Sequence, residues 1–106
     1  MDAALKAIAE PRRREILKLI HVHEMTSGAI ASHFDVTRPA ISQHLRVLEE
    51  AALVTVRREG TRRLYKARPE AVNELRRYLQ CFWSEGLGAL AEAAEAEERN
   101  ERGKGR

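Results

Sequence analysis

The chain has 106 residues, enough for one domain with a single modest core. Hydrophobic residues make up 43% of it but aromatics only 5%, so aliphatic side chains must do most of the packing. The formal charge of +3 is too small to imply nucleic acid by itself, and one cysteine excludes an intrachain disulfide. No apolar run approaches the ~18 residues of a membrane span, and no apolar stretch follows a basic start as in a signal peptide. These features point to the cytoplasm.

The first predicted element is a short helix, capped by Asp2, that carries Ala3, Leu5 and Ile8. Pro11 suits the first turn of a second helix, where its missing N–H is not needed. That helix turns Ile16, Leu17 and Ile20 inward and ends between His21 and Glu24. Its Arg12-Arg-Arg14 run reads as a flanking phosphate contact or as a solvated face, with the phosphate reading slightly ahead. His21, His23 and Glu24 carry ligand-type groups, but histidines two apart on a helix are poorly placed to share an ion. They read as a solvated helix end.

Thr26 or Ser27 can cap a third helix with Ile30, Ala31 and Phe34 inside. Asp35, Val36 and Thr37 form a turn, and Thr37 caps a fourth helix that tolerates Pro39 in its first turn. The fourth helix buries Ile41, Leu45 and Leu48. Its opposite face carries Arg38, Ser42, Gln43 and Arg46. Arginine can bond both major-groove acceptors of guanine, and glutamine can pair with adenine. His44 sits at the edge of this face, where it either meets a phosphate or closes the packing.

After Leu53 the period changes from helical to alternating. Val54–Arg58 and Arg62–Lys66 read as strands joined by Glu59, Gly60 and Thr61, with Gly60 free to take a positive φ. A basic hairpin after a helix-turn-helix is a wing. Arg58, Arg62 and Arg63 near its tip can reach phosphates or the minor groove. Between Thr37 and Arg68 eight cations face three anions, a local charge of +5, which leaves −2 for the remainder. The positive charge therefore lies on the motif.

From Pro69 the pattern is helical for about 25 to 30 residues, well above the ~11-residue average. Val72, Leu75, Leu79, Phe82, Trp83, Leu87 and Leu90 form an apolar stripe too long for so small a domain to cover. The stripe predicts a dimer surface shared with Leu5 and Ile8 of the first helix. Gly86 and Gly88 weaken the helix or permit close approach. Cys81 on this face reads as inert packing, with a redox switch as the alternative. Residues 97–106 read as a charged, disordered tail behind a single domain spanning 1–96.

Three strings, taken together, resemble the ArsR/SmtB family of bacterial winged-helix transcriptional repressors. They are Glu10-Pro-Arg-Arg-Arg-Glu-Ile-Leu17, Val36-Thr-Arg-Pro-Ala-Ile-Ser-Gln-His-Leu-Arg-Val-Leu48 and Ala52-Leu-Val-Thr-Val-Arg-Arg-Glu-Gly-Thr-Arg-Arg-Leu-Tyr65. The resemblance spans roughly residues 2–90. It implies a mainly α winged helix-turn-helix, dimerised through its N- and C-terminal helices and bound to operator DNA, including its own promoter. Metal-sensing members carry Cys-x-Cys at the start of the third helix, where this chain has Thr26 and Gly28. A second family metal site uses histidine on the last helix, and residues 69–106 contain none. The resemblance is therefore to members without metal ligands, such as the autorepressors, and no metal or cofactor is expected.

The sequence thus predicts a homodimeric, sequence-specific repressor of an inverted-repeat operator. Its DNA contacts are Thr37, Arg38, Ser42, Gln43, His44, Arg46, Arg58, Arg62 and Arg63. No paired carboxylates, positioned nucleophile or phosphate-cradling glycine loop suggests an enzyme. The alternatives are a winged helix used for protein or RNA contacts, and a regulator responding to redox state through Cys81.

Overall fold

A computed structural model describes residues 1–104, the side chains of Leu87 and residues 101–104 excepted. The chain divides into two compact units, Met1–Leu75 and Arg76–Arg106.

The first unit begins with α1 (Asp2–Ile8) and α2 (Pro11–Val22). Asp2 is not the cap of α1: Met1 holds the N-cap position, and Asp2 lies in the first turn, where its charge suits the helix dipole. Pro11 opens α2, and the Glu10 carboxylate accepts the Arg12 N–H at 3.5 Å.

The arginine run has a structural use that its sequence pattern does not reveal. Arg13 donates to the carbonyls of Ala7 (2.6 Å) and Lys6 (3.3 Å), and Arg14 to those of Ile8 (2.7 Å) and Ala9 (3.2 Å). The last four carbonyls of a helix lack partners within it, and cations are favoured at that end. Two guanidinium groups therefore cap α1, whose seven residues are too few to form a helix alone. Arg12 pairs with Glu15 at 3.3 Å and lies 4.7 Å over the Phe34 ring.

The helix-turn-helix is α3 (Ser27–Ala31) and α4 (Arg38–Glu50). The Thr26 hydroxyl accepts the Ala29 N–H at 3.1 Å, and that of Thr37 accepts the Ala40 N–H at 3.3 Å. The α3 helix stops at Ala31, short of the expected Phe34. Ser32 Oγ donates to the Ala29 carbonyl at 2.6 Å and His33 Nδ1 reaches it at 2.9 Å. With that acceptor taken, the His33 N–H turns to Ile30 and the Phe34 N–H to Ala31, both tighter bonds.

The end of α4 is a Schellman turn. The Leu53 N–H bonds to Leu48 O and the Ala52 N–H to Glu49 O, with Ala52 at φ 59°. The chain reverses there into β1 (Val54–Glu59), which pairs antiparallel with β2 (Arg62–Ala67) from Val54↔Ala67 to Glu59↔Arg62. Each strand is one residue longer than the sequence suggests, leaving only Gly60-Thr61 as the turn, with Gly60 at φ 63°.

Ile16, Ile20, Ile30, Ile41, Leu45, Leu48 and Leu53 are the largest fully buried side chains. Burial of each contributes about 1.5–3 kcal/mol. The core thus fixes α4 by the three residues its period predicts, Ile41, Leu45 and Leu48.

The helix α5 (Pro69–Phe82) starts in the first unit, where Leu75 is only 7% exposed. Its place in the stripe assigns Leu75 to a subunit surface, but its own chain already covers it. Leu5, Ile8 and Val72 are half-buried within the chain too.

In the second unit a π-helical turn (Trp83–Leu87) follows α5 and leads into α6 (Gly88–Lys104). The Gly88 N–H reaches Trp83 O, five residues back, and a Cβ on Gly88 would stand 2.7 Å from that oxygen. The glycine is what admits the wide turn. Residues 97–104 are helical where the sequence reads as a disordered tail. Glutamate, arginine and lysine there are all good helix formers. Residues 105–106 of that expected tail lie outside the described residues. Leu79, Phe82, Trp83 and Leu90 are 42–65% exposed and Tyr78 is 41% exposed, its ring stacked on that of Phe82 at 6.4 Å. No helix among the described residues is long and apolar enough to cross a membrane.

Candidate nucleic-acid interface

Between α4 and the hairpin lies an open cleft of about 840 Å³. Arg38, Ser42, Arg46 and Glu49 of α4 form one wall, and Thr61, Arg62, Arg63 and Tyr65 the other. Thr26, Ser27 and Gly28, at the start of α3, complete the lining. Four arginines against one carboxylate make the cleft cationic. Because Ile41, Leu45 and Leu48 are buried, the opposite side of α4 must face out, and Arg38, Ser42, Gln43 and Arg46 are all exposed.

The expected contact residues do not all meet in this cleft. Arg38, Ser42, Arg46, Arg62 and Arg63 line it, whereas Gln43 is exposed on α4 but is not among the lining residues. Arg58 lies with Gly60, Thr61, Arg62 and Arg63 around a second concavity at the wing tip. Thr37 serves as the cap of α4. His44 is half-buried and outside the cleft. Burial and the neighbouring Arg13 hold its imidazole below the ordinary value, with Arg12 acting the same way against Glu10. In the sequence Thr26, Ser27 and Gly28 stand out only as caps or as empty metal positions. Their presence on the cleft wall depends on how α3 crosses α4, which no local pattern encodes.

The arginines differ in how free they are. Arg46 pairs with Glu50 at 3.4 Å and Arg62 with Glu59 at 3.5 Å. These exposed pairs are weak and yield readily to a stronger anion. Arg58 and Arg63 stand directly opposite each other in the hairpin register, and neither has an ion-pair partner among the described residues. Like charges so placed disfavour the strand pairing, and an anion would relieve them.

The wing is tied down at its root. Met25 and Tyr65 exchange two backbone hydrogen bonds, at 3.0 and 2.8 Å. Arg57 bonds the Glu24 carboxylate through both Nε and a terminal nitrogen, and reaches Glu59 as well. The Arg57 hydrogen bond holds Glu24 below the usual carboxylate range. Met25, between α2 and α3, thus holds the hairpin through a single bridge at its edge.

Among the described residues no group of three or more His, Cys, Asp or Glu side chains is placed to share a metal ion. Cys81 is exposed, and its hydrogen bond and proximity to Glu85 push the thiol pKa up, which disfavours the reactive thiolate.

Residues 10–56, the span from the start of α2 to the first strand, match the bacterial regulatory protein arsR family. The HTH-type transcriptional regulator Rv2034 of Mycobacterium tuberculosis is 38% identical over 96 residues, covering 91% of this chain and 90% of its own. The chain belongs to the arsR family. The transcriptional repressor SdpR of Bacillus subtilis is 43% identical to this arsR-family chain over 60 residues, 57% of this chain and 67% of SdpR. The solution structure of a homodimeric winged helix-turn-helix DNA-binding domain from Mycobacterium bovis, a possible ArsR-family regulator, superposes with a TM-score of 0.65. Its identity is 35%, over 81% of this chain and 80% of that one. The arsR-family chain is accordingly a transcriptional regulator with a winged helix-turn-helix DNA-binding fold, as the three sequence strings imply.

Proposed function

We propose that this arsR-family protein is a homodimeric repressor that occupies an inverted-repeat operator and blocks transcription from it. The observation that carries the reading is the cleft with arginines on both walls: Arg38 and Arg46 on the recognition helix, Arg62 and Arg63 on the wing. A duplex seated with α4 in its major groove brings the wing against the adjacent backbone. Ser42, Gln43 and Arg46 then face base edges, while Arg58, Arg62 and Arg63 neutralise phosphates or enter the minor groove. Two copies related by a two-fold axis present two α4 helices about 34 Å apart, one helical turn of DNA. The repressor and homodimer of the related proteins support the same arrangement.

The test is gel shift on DNA upstream of the protein's own coding region, at two salt concentrations and with competitor. Replacing Ser42 and Gln43 by alanine is expected to weaken operator binding by about 1–3 kcal/mol per lost base contact. Nonspecific binding should remain. Arg63→Ala should instead weaken all sequences alike and lower the salt slope by about one. Arg63 is a cleaner probe than Arg62, which Glu59 engages. Unchanged operator affinity in the folded Ser42 and Gln43 variant would show that α4 does not read sequence. Protein or RNA docking would then be the better reading.

A further inference from the structure

We infer that Ser27 and Gly28 form a seat that orients Arg38 before DNA arrives, making Ser27 a positioning residue for operator recognition. The inference rests on the reading of the cleft as the DNA site. Arg38 is the first residue of α4 and is exposed. A long side chain at such a place has many rotamers, and fixing it on binding costs entropy.

Arg38 is already partly fixed. Its Nε lies 3.4 Å from Ser27 Oγ and donates to it. Its guanidinium also lies against the bare face of Gly28: a Cβ built there would stand 3.9 Å from both Nε and Cζ. A methyl group fits at that distance, but a longer side chain would displace the guanidinium. All three residues line the same cleft.

The seat is neutral, and that distinguishes Arg38 from Arg46 and Arg62. Arg46 and Arg62 are each held by a glutamate, which orients them but offsets their charge. No carboxylate lies within ion-pair distance of Arg38 among the described residues. Ser27 uses only Nε, so both terminal amino groups stay free for a bidentate pair of acceptors on the DNA. Arg38 therefore enters the complex with its charge intact and its orientation set. The α3 helix contributes to recognition through this seat.

A double-mutant cycle on operator affinity tests the seat. Ser27→Ala is expected to weaken operator binding about threefold to tenfold, the effect of one modest hydrogen bond. Ser27→Thr keeps the hydroxyl and should retain affinity. In an Arg38→Ala background Ser27→Ala should have no further effect. Gly28→Leu should reproduce the Ser27→Ala loss and Gly28→Ala should not, with circular dichroism confirming the fold throughout. Additive losses from Ser27→Ala and Arg38→Ala would overturn the seat while leaving Arg38 a DNA contact. An Arg38→Ala variant that binds the operator normally would instead remove Arg38 from the DNA site altogether. Sequence preference then separates the two sources of acceptors: Arg38→Ala relaxes one operator position if the pair is a base edge, and weakens all sequences equally if it is a phosphate.

Discussion

Ala52 is the residue on which the geometry of the site turns. It holds φ 59°, a left-handed conformation that costs an L-residue about 1–2 kcal/mol and that glycine adopts freely. The strain persists because Leu53 must be returned to the core, where it is 1% exposed, directly after the recognition helix. Ala52→Gly should therefore stabilise the fold by about 1 kcal/mol, allowing for the greater flexibility of glycine in the unfolded chain, as read by urea denaturation. Nothing local in Glu49–Leu53 announces this turn, because alanine is an ordinary helix residue. The inward positions Ile41, Leu45 and Leu48 are legible because a 3.6-residue period repeats over the whole helix. His44, at the edge of that period, supports a second prediction. Its depressed pKa means that the unfolded chain takes up the proton first as pH falls. The neutral imidazole's contribution is complete above 6.5, its ordinary value, and declines as pH falls through the lower folded-state pKa. His44→Gln should flatten this acid-side loss, seen by comparing melting temperatures of the two proteins well above and well below that value.

Elements declare themselves in sequence to different degrees. The hairpin is readable from alternation and from Gly60, whose positive φ the two-residue turn requires. The bond between Met25 and Tyr65 is not, since a single bridging residue has no period. The π-helical turn is half visible: Gly86 and Gly88 mark a weakness, but only the Trp83 carbonyl explains why a side chain at 88 is refused. Gly88→Ala should collapse this turn toward a regular helix. Removing one residue from a turn rotates the rest of the helix by about 100°. Leu90 would turn by that angle relative to Leu79 and Phe82, and a dimer built on the π-helical arrangement should dissociate more readily in sedimentation equilibrium, even though alanine favours helix.

For the whole molecule, the sequence shows more apolar surface than one chain can bury, but not which residues remain available. Leu75 is spent inside its own chain, whereas Leu79, Phe82, Trp83 and Leu90 stay open, and Tyr78 joins them. Tyr78 escapes the stripe because its hydroxyl makes it look like a surface residue, while its ring stacks on Phe82. Phe82→Asp should place a charge at the centre of the proposed subunit contact and yield a folded monomer. Operator affinity should fall with it, because a single recognition helix forfeits the gain from binding two linked half-sites. A dimer that survives this change would move the interface elsewhere. The bonds from Met25 to Tyr65 and from Arg57 to Glu24 have a further consequence. They tie the wing, one jaw of the cleft, to the segment before α3, and in the proposed complex this limits how far that jaw can open for a duplex. Base steps that flex easily would then be favoured even where no side chain touches them, and stiff tracts would be penalised.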